Sequence, residues 1–458
     1  MNKIYKVVWS KAKHAYVVTS EVAKSHTKSA SGKAVKAALA AAVGMGVLMG
    51  GYTANAADTT TGSGSGVAYG TGSDAPKAEN VAIGKNAKVE NMAGGGEASF
   101  AFGQTTFSGS WFSSARIPAD PTKVVGSVAI GDNTFARTGS TMIGSHNYKG
   151  ALGDTTVDSA STRTDALNVY ATTIGANSFS NGAFTTSTGV YNIISSEYNG
   201  GRLANPVKNL GATITGSLNS IESKTSNNSY AGIANTVTGV ANRTFNSNGS
   251  LIYGAGNEIT NSITNISAPS DSGSSAKEFA DKLRTAITGS KSGGATLAIG
   301  GGNKADYTQK TSIIGVNNTV TGTSGSPSTY NSITGYNNTA TNINHVSVIG
   351  SENNVTNTNG AVVFGDKRTL TGADGSVVIG SSQAGTSTSV KNAVAIGSEA
   401  NVTKEGGVAL GAGSVASVDK GVAGYDPGTG TNSTDTSSVW KSTQAAVSVG
   451  DTSKGITR

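Results

Sequence analysis

The sequence predicts an all-β chain, a parallel β-solenoid wound from coils of about 15 residues, with loop inserts and one short helix. Three observations predict it. An apolar-apolar-glycine tetrad recurs from residue 81 to residue 450. Its later copies follow one another at a near-constant step. Glycine supplies 63 of 458 residues against 7 prolines, so too few large apolar side chains remain for a thick globular core.

Taken in chain order, residues 1–56 read as a signal segment with eight lysines and one acid, Glu21. Residues 37–51, AALAAAVGMGVLMGG, are apolar but shorter than the roughly 20 residues that span a bilayer. Ala54-Asn55-Ala56 then gives the small-x-small pattern of a signal-peptidase site, and cleavage is expected after Ala56. Removing those charges from 34 basic and 27 acidic residues leaves 26 of each. The mature chain is therefore neutral, and the net charge of +7 and pI near 9.2 make no case for a nucleic-acid partner. The absence of cysteine excludes disulfides, zinc–thiolate sites and thiol catalysis.

Residues 57–78, rich in Thr, Gly and Ser, read as a flexible mature N-terminus. Residues 79–261 read as coils with inserts, 262–294 as an insert with a short helix, and 295–420 as the regular repeats. Residues 421–458 read as an insert and one last coil. From Gly300 the tetrad glycines fall at 315, 335, 350, 365, 380, 397 and 411. Before each glycine the first and third tetrad residues are mostly apolar, as in Val128 and Ile130 or Val394 and Ile396. A spacing of two puts them on one face of a strand, which this reading takes as the buried face. Intervening Ala129, Ala395 and Ala409 then face the other way. Five residues after the glycine comes another apolar residue, such as Ile259, Val320, Ala340, Val355 or Val402. One coil thus reads as two strands and two turns, the second strand entered through Asn. So thin a coil leaves a face that other copies must cover, so an oligomer is expected.

Within the inserts, Phe107, Trp111 and Phe112 are candidate ligand contacts, with packing over the roll as the blander alternative. Ser275 and Glu278 fit a capping box, and Phe279, Leu283, Ala286 and Ile287 share one helical face expected to pack on the roll. His14 and His26 lie in the leader, and His146 and His345 stand 199 residues apart as surface histidines. No nucleophile elbow, phosphate loop or paired carboxylates appear, so no catalytic residue, metal site or cofactor is assigned. A binding scaffold, rather than an enzyme, is the reading. An exported β-helical carbohydrate-active enzyme would call for longer three-strand coils and clustered acids. A purely structural or ice-binding solenoid would call for a regular threonine lattice, and the threonines after the fifth position are irregularly flanked.

Two stretches carry a resemblance. Met1 to Lys24, with Asn2-Lys3-Ile4-Tyr5, Val8-Trp9-Ser10, Val17-Val18 and Ser20-Glu21, resembles the extended signal-peptide region of large autotransporter adhesins. Ser127 to Gly131, Asn392 to Gly397 and Gly407 to Ala416 are similar to the head repeats of YadA-like trimeric autotransporter adhesins, the hemagglutinin type. That resemblance implies a left-handed parallel β-roll assembled as a homotrimer and exported to the cell surface of a Gram-negative bacterium. It places the trimer core on Val81, Ile83, Val128, Ile130, Val377, Ile379, Val394, Ile396, Val408 and Leu410. It implies attachment to host matrix, host cells or other bacteria as the function. Trp440 to Arg458 resembles the last head coil running toward a neck, so the neck, stalk and membrane anchor of the family are expected beyond this fragment, which holds no membrane span.

Overall fold

A computed structural model describes residues 5–10, 15–20, 61–90, 126–137, 139–145, 168–180, 182–196, 209–223, 230–266 and 276–450. The chain divides into two units, Met1–Ala57 and Asp58–Arg458. In the first, Tyr5–Ser10 and Ala15–Ser20 pair antiparallel, with Val7 opposite Val18 and Trp9 opposite Tyr16. Ala56, like Phe107, Trp111, Phe112 and His146, lies outside the described residues.

The second unit is a parallel roll. The tetrad strands stack into one ladder of eighteen strands, from Val67–Tyr69 to Val447–Ser448. The strands that follow the glycines form an eleven-stranded parallel sheet from Phe179–Ser180 to Ser387–Thr388. Register holds from coil to coil: Ile313, Ile333, Val348 and Val363 stand in one column, and Gly315, Gly335 and Gly350 in another. The glycine column is obligatory because the backbones approach closely there. A Cβ on Gly335, whose φ is 134°, would fall 1.8 Å from the carbonyl oxygen of Gly350.

Three features differ from the sequence reading. First, the coil has a short third side. Thr308–Gln309 pairs with Ser328–Thr329, and single bridges extend the column through Asn344 and Asn359. One or two residues per side are too few to show alternation, which is why the pattern suggested two strands alone.

Second, the interior belongs to the intervening tetrad residue. Ala82, Ala129, Met142, Ile313, Ile333, Val363, Val378, Ala395 and Ala409 are fully buried, whereas the residues flanking them are half-buried or exposed. The residues five after the glycine meet them from the second sheet; Ile259, Val320 and Val355 are fully buried. The coil is thin enough that each regular tetrad strand sends in one side chain, and alanine fits at several of these places. Each fully buried Val or Ile contributes roughly 1.5–3 kcal/mol relative to exposure. Ile83, Ile130 and the other eight residues named for the trimer core are thus outside the chain's own core.

Third, residues read as a flexible N-terminus form a coil. Val67, Ala68 and Tyr69 pair with Val81, Ala82 and Ile83, because Val67 to Gly70 is itself a tetrad in a Gly/Ser-rich setting.

The third residue after each glycine builds a buried amide ladder. Asn192, Asn219, Asn242, Asn257, Asn303, Asn318, Asn338 and Asn353 occupy that place in successive coils, and all are buried. In each step the backbone N–H and side-chain Nδ2 donate to the Oδ1 of the Asn one coil earlier, as Asn318 does to Asn303 at 3.1 and 3.0 Å. The same Nδ2 also donates to the glycine carbonyl one coil later, Gly335 at 2.8 Å. At the next coil the ladder ends on Arg368, 1% exposed, whose N–H groups reach the carbonyls of Gly380, Ala400 and Gly397 at 2.6, 2.8 and 2.9 Å. This one guanidinium joins the Asn-bearing coils to the alanine-bearing coils that follow. Burial holds its pKa below the ordinary arginine value, with Glu399 acting in the opposite sense.

The helix runs from Ala276 to Gly289. Phe279 is buried and packs at a tilt of 38° against Phe184, ring centroids 5.5 Å apart, and Phe184 stacks on Tyr170 at 5.7 Å. Beyond the regular coils, Tyr425–Asp426 and Thr431–Asn432 form a small hairpin, and the chain rejoins the tetrad sheet where Val447 pairs with Val408.

Candidate interaction surface

The outer face of the tetrad sheet collects the first and third residues of every strand. Parallel pairing aligns Val81 with Val128 and Ile83 with Ile130 at one end. It aligns Val377, Val394 and Val408, and Ile379, Ile396 and Leu410, at the other. The ten sequence-assigned residues therefore share one face, in two columns. Ile314, Ile349, Phe364 and Ile396 are 40–49% exposed. From Val67 to Leu410 this face has 34 first and third positions, and none is Asp, Glu, Lys or Arg. At the chain's 13% charged content, about four charges would fall there by composition alone.

The face is segmented. Ser and Thr occupy both columns from Thr186 through Thr238, and apolar residues occupy both at Val81–Ile130 and at Val362–Leu410.

The second sheet differs in kind. Its outward positions include Glu222, Arg243, Glu258, Lys304 and Asp306. Arg243 bonds Glu258 at 2.8 Å and Glu222 at 3.3 Å and lies 4.8 Å over the Phe245 ring. Burial pulls its pKa down, but the two carboxylates more than reverse this and leave it raised. Charges and ion pairs of this kind sit at ease in water, so the second sheet is built as a solvated side and the tetrad face is not.

The third side carries one aromatic corner. Tyr330 and His345, on consecutive coils, stack at 4.8 Å and both are exposed. His345, expected as a surface histidine, is exposed and carries this ring contact. Elsewhere, the loop 381–388 wraps a carboxylate: Glu399 accepts from Ser382 at 2.9 Å, Thr386 at 2.6 Å and the Gln383 N–H. Those donors, Thr386 first, hold its pKa at about 2. Among the described residues no group of three or more His, Cys, Asp or Glu could hold a metal ion. No described helix is long and apolar enough to cross a membrane.

Comparison with known proteins bears on the leader. Residues 1–50 match a family described as the extended signal peptide of the type V secretion system. Over 51 residues the chain is 57% identical to the autotransporter adhesin BadA of Bartonella henselae. That stretch is 11% of this chain and spans 2% of the relative's length. The leader match indicates export and an autotransporter-type surface passenger, and the passenger it precedes is a repetitive, mostly parallel β-structure.

The amide ladder and Arg368 escaped the sequence reading, although a signal existed. Asn stands three after the glycine in eight coils, but in a single coil it reads only as a turn former.

Proposed function

We propose that residues 57–458 are the head of a trimeric autotransporter adhesin, cleaved after Ala56 and displayed at the outer membrane. The head attaches the cell to host matrix, host cells or other bacteria. The observation that carries the reading is the uncharged outer face of the tetrad sheet, which runs the length of the roll. A face with exposed Ile, Phe and Leu in register and no charge has the composition of an interface core, not of a solvated surface.

Its occupant is further copies of the same chain. Parallel copies set side by side bring Val against Val and Thr against Thr at every level, so each column meets its own chemistry. The assigned residues Val81, Ile83, Val128, Ile130, Val377, Ile379, Val394, Ile396, Val408 and Leu410 then form the trimer core. The charged second sheet and the inserts stay outward, where they can touch a target. The type V leader and its likeness to an adhesin leader support export to that setting.

Attachment is tested with beads coated with the purified mature head. They are offered matrix proteins, epithelial cells and sister bacteria. Saturable capture by one of these surfaces, competed by soluble head, is the expected result. Capture no greater than with bare beads on every surface overturns the adhesive reading.

A further inference from the structure

We propose that the third-side corner at Tyr330 and His345 is a carbohydrate site that takes one neutral pyranose ring. The backbone at this corner is left-handed in coil after coil: φ is 48° at Lys310, 58° at Tyr330, 56° at His345, 65° at Gly360, 68° at Gly375 and 54° at Asn392. Glycine and asparagine suit such a position, whereas a bulky side chain is strained in it. Two rings are nonetheless held there. They stack at 4.8 Å and 23°, a separation set by the spacing of adjacent parallel strands. One coil on, Gly360 takes the corner, and a Cβ built on it meets nothing within 4 Å. The outer face of the His345 ring therefore overlooks an open ledge one coil deep.

A fixed polar row borders this ledge, made by the residue before each corner residue. Asn344 Oδ1 accepts from Thr329 N and Oγ1 at 2.9 and 2.8 Å. Asn344 Nδ2 donates to Asn359 Oδ1 at 3.1 Å, and Asn359 N and Nδ2 donate to Asp374 Oδ1 at 2.8 and 3.1 Å. Lys391 closes the row on Asp374 at 3.0 Å. These bonds fix the amide planes, and each asparagine keeps a second amide N–H for an outside acceptor. A flat ring beside planar, preorganised donors and acceptors is the pairing a pyranose needs. Its C–H face stacks on the aromatic ring and its hydroxyls meet the amides and the carboxylate. Asp374 and the neutral amides favour an uncharged sugar over an acidic one.

The same corner shows how such a pair is used. Tyr170 and Phe184, at φ 49° and 55°, stack in the equivalent place, and there the helix lays the Phe279 ring against Phe184. A ring pair at this corner thus accepts a third cyclic group, and at Tyr330–His345 no ring among the described residues takes that place. The proposal does not depend on the oligomeric state.

The test uses the mature head with 13C-labelled histidine, which beyond the leader reports only His146 and His345. Cellotriose, maltotriose and chitotriose are titrated in turn. The expected result is movement of the His345 ring signal with at least one sugar, at a fixed His146 signal, together with upfield shifts of sugar ring protons. The double variant Tyr330→Asn, His345→Asn keeps the left-handed corner and the fold. Its affinity, read from the sugar protons, should fall at least tenfold. Asn359→Ala, which leaves both rings in place, should also weaken binding severalfold. The proposal is overturned if no sugar moves His345, or if the double variant binds as well as the parent. It is equally overturned if a Tyr- and Pro-containing peptide moves His345 where no sugar does.

Discussion

Replacing Asn318 by alanine removes one rung from the middle of the amide ladder. Four hydrogen bonds go. Two are donated by Nδ2, to Asn303 Oδ1 at 3.0 Å and to Gly335 O at 2.8 Å. Two are accepted by Oδ1, from Asn338 N at 3.1 Å and Nδ2 at 2.8 Å. Two of the partners keep another bond: Asn303 Oδ1 still accepts from the backbone of residue 318, and Asn338 Nδ2 still donates to Gly350 O at 2.7 Å. The Asn338 N–H and the Gly335 carbonyl are left without these donors and acceptors in a buried column. At about 1–3 kcal/mol for each unsatisfied group, with about 1 kcal/mol more for the other two bonds, the loss is about 5 kcal/mol. The neighbouring Asn317→Gly is the control. Asn317 is exposed, makes one side-chain bond to Asn337 at 3.1 Å, and sits at φ 59°, where glycine is at ease. Its expected effect is within about 0.5 kcal/mol. Urea unfolding at one fixed protein concentration measures both, provided the slopes match. If Asn318→Ala costs less than about 1 kcal/mol, or no more than the control, the ladder does not hold the coils together.

Arg368→Ala strips donors from three carbonyls, that of Ala400 buried and those of Gly380 and Gly397 part-buried, and hydrogen exchange should show protection lost first in the flanking coils 377–410. Arg368→Asn extends the ladder to Gly380 alone and should fall between parent and alanine. Gly335→Ala puts a Cβ 1.8 Å from the Gly350 carbonyl oxygen, and soluble expression of the head should be lost; a folded, soluble variant would contradict so close a strand approach. For Glu399 the folded pKa lies below the ordinary value of 4.5, at about 2. Its hold on loop 381–388 is therefore complete above pH 4.5 and is lost as pH falls toward 2. Limited proteolysis with an acid protease should cut this loop faster as pH drops through that window. Glu399→Gln should be cut readily throughout it; a pH-independent parent would refute the assignment.

The periodicity of the tetrads made the roll legible, because a step near 15 with glycine at a fixed place admits few other folds. It did not reveal which side of the strand faces inward. In a thick core the bulky residues go inside. Here the coil is so thin that Ala129 and Ala395 go inside, and Ile130 and Ile396 go out. The pattern alone reads the same either way, since a period of two names two faces without ranking them. The polar interior was hidden for a related reason: Asn257 or Asn318 in a loop-like run reads as a turn, and only coil stacking turns it into a ladder. The third side was too short to leave a period. The helix was legible because Phe279, Leu283, Ala286 and Ile287 repeat at helical spacing, and Phe279 is the residue that packs on the roll.

We propose that the uncharged tetrad face is buried against copies of this chain. The most direct test is the mass of the purified mature head by sedimentation equilibrium, measured beside Ile396→Asp, which sets one charge on that face. The parent should have the mass of three chains and the variant should dissociate while keeping its β-sheet circular dichroism. A well-folded parent that remains a single chain at micromolar concentration would show that this face is not an interface between copies.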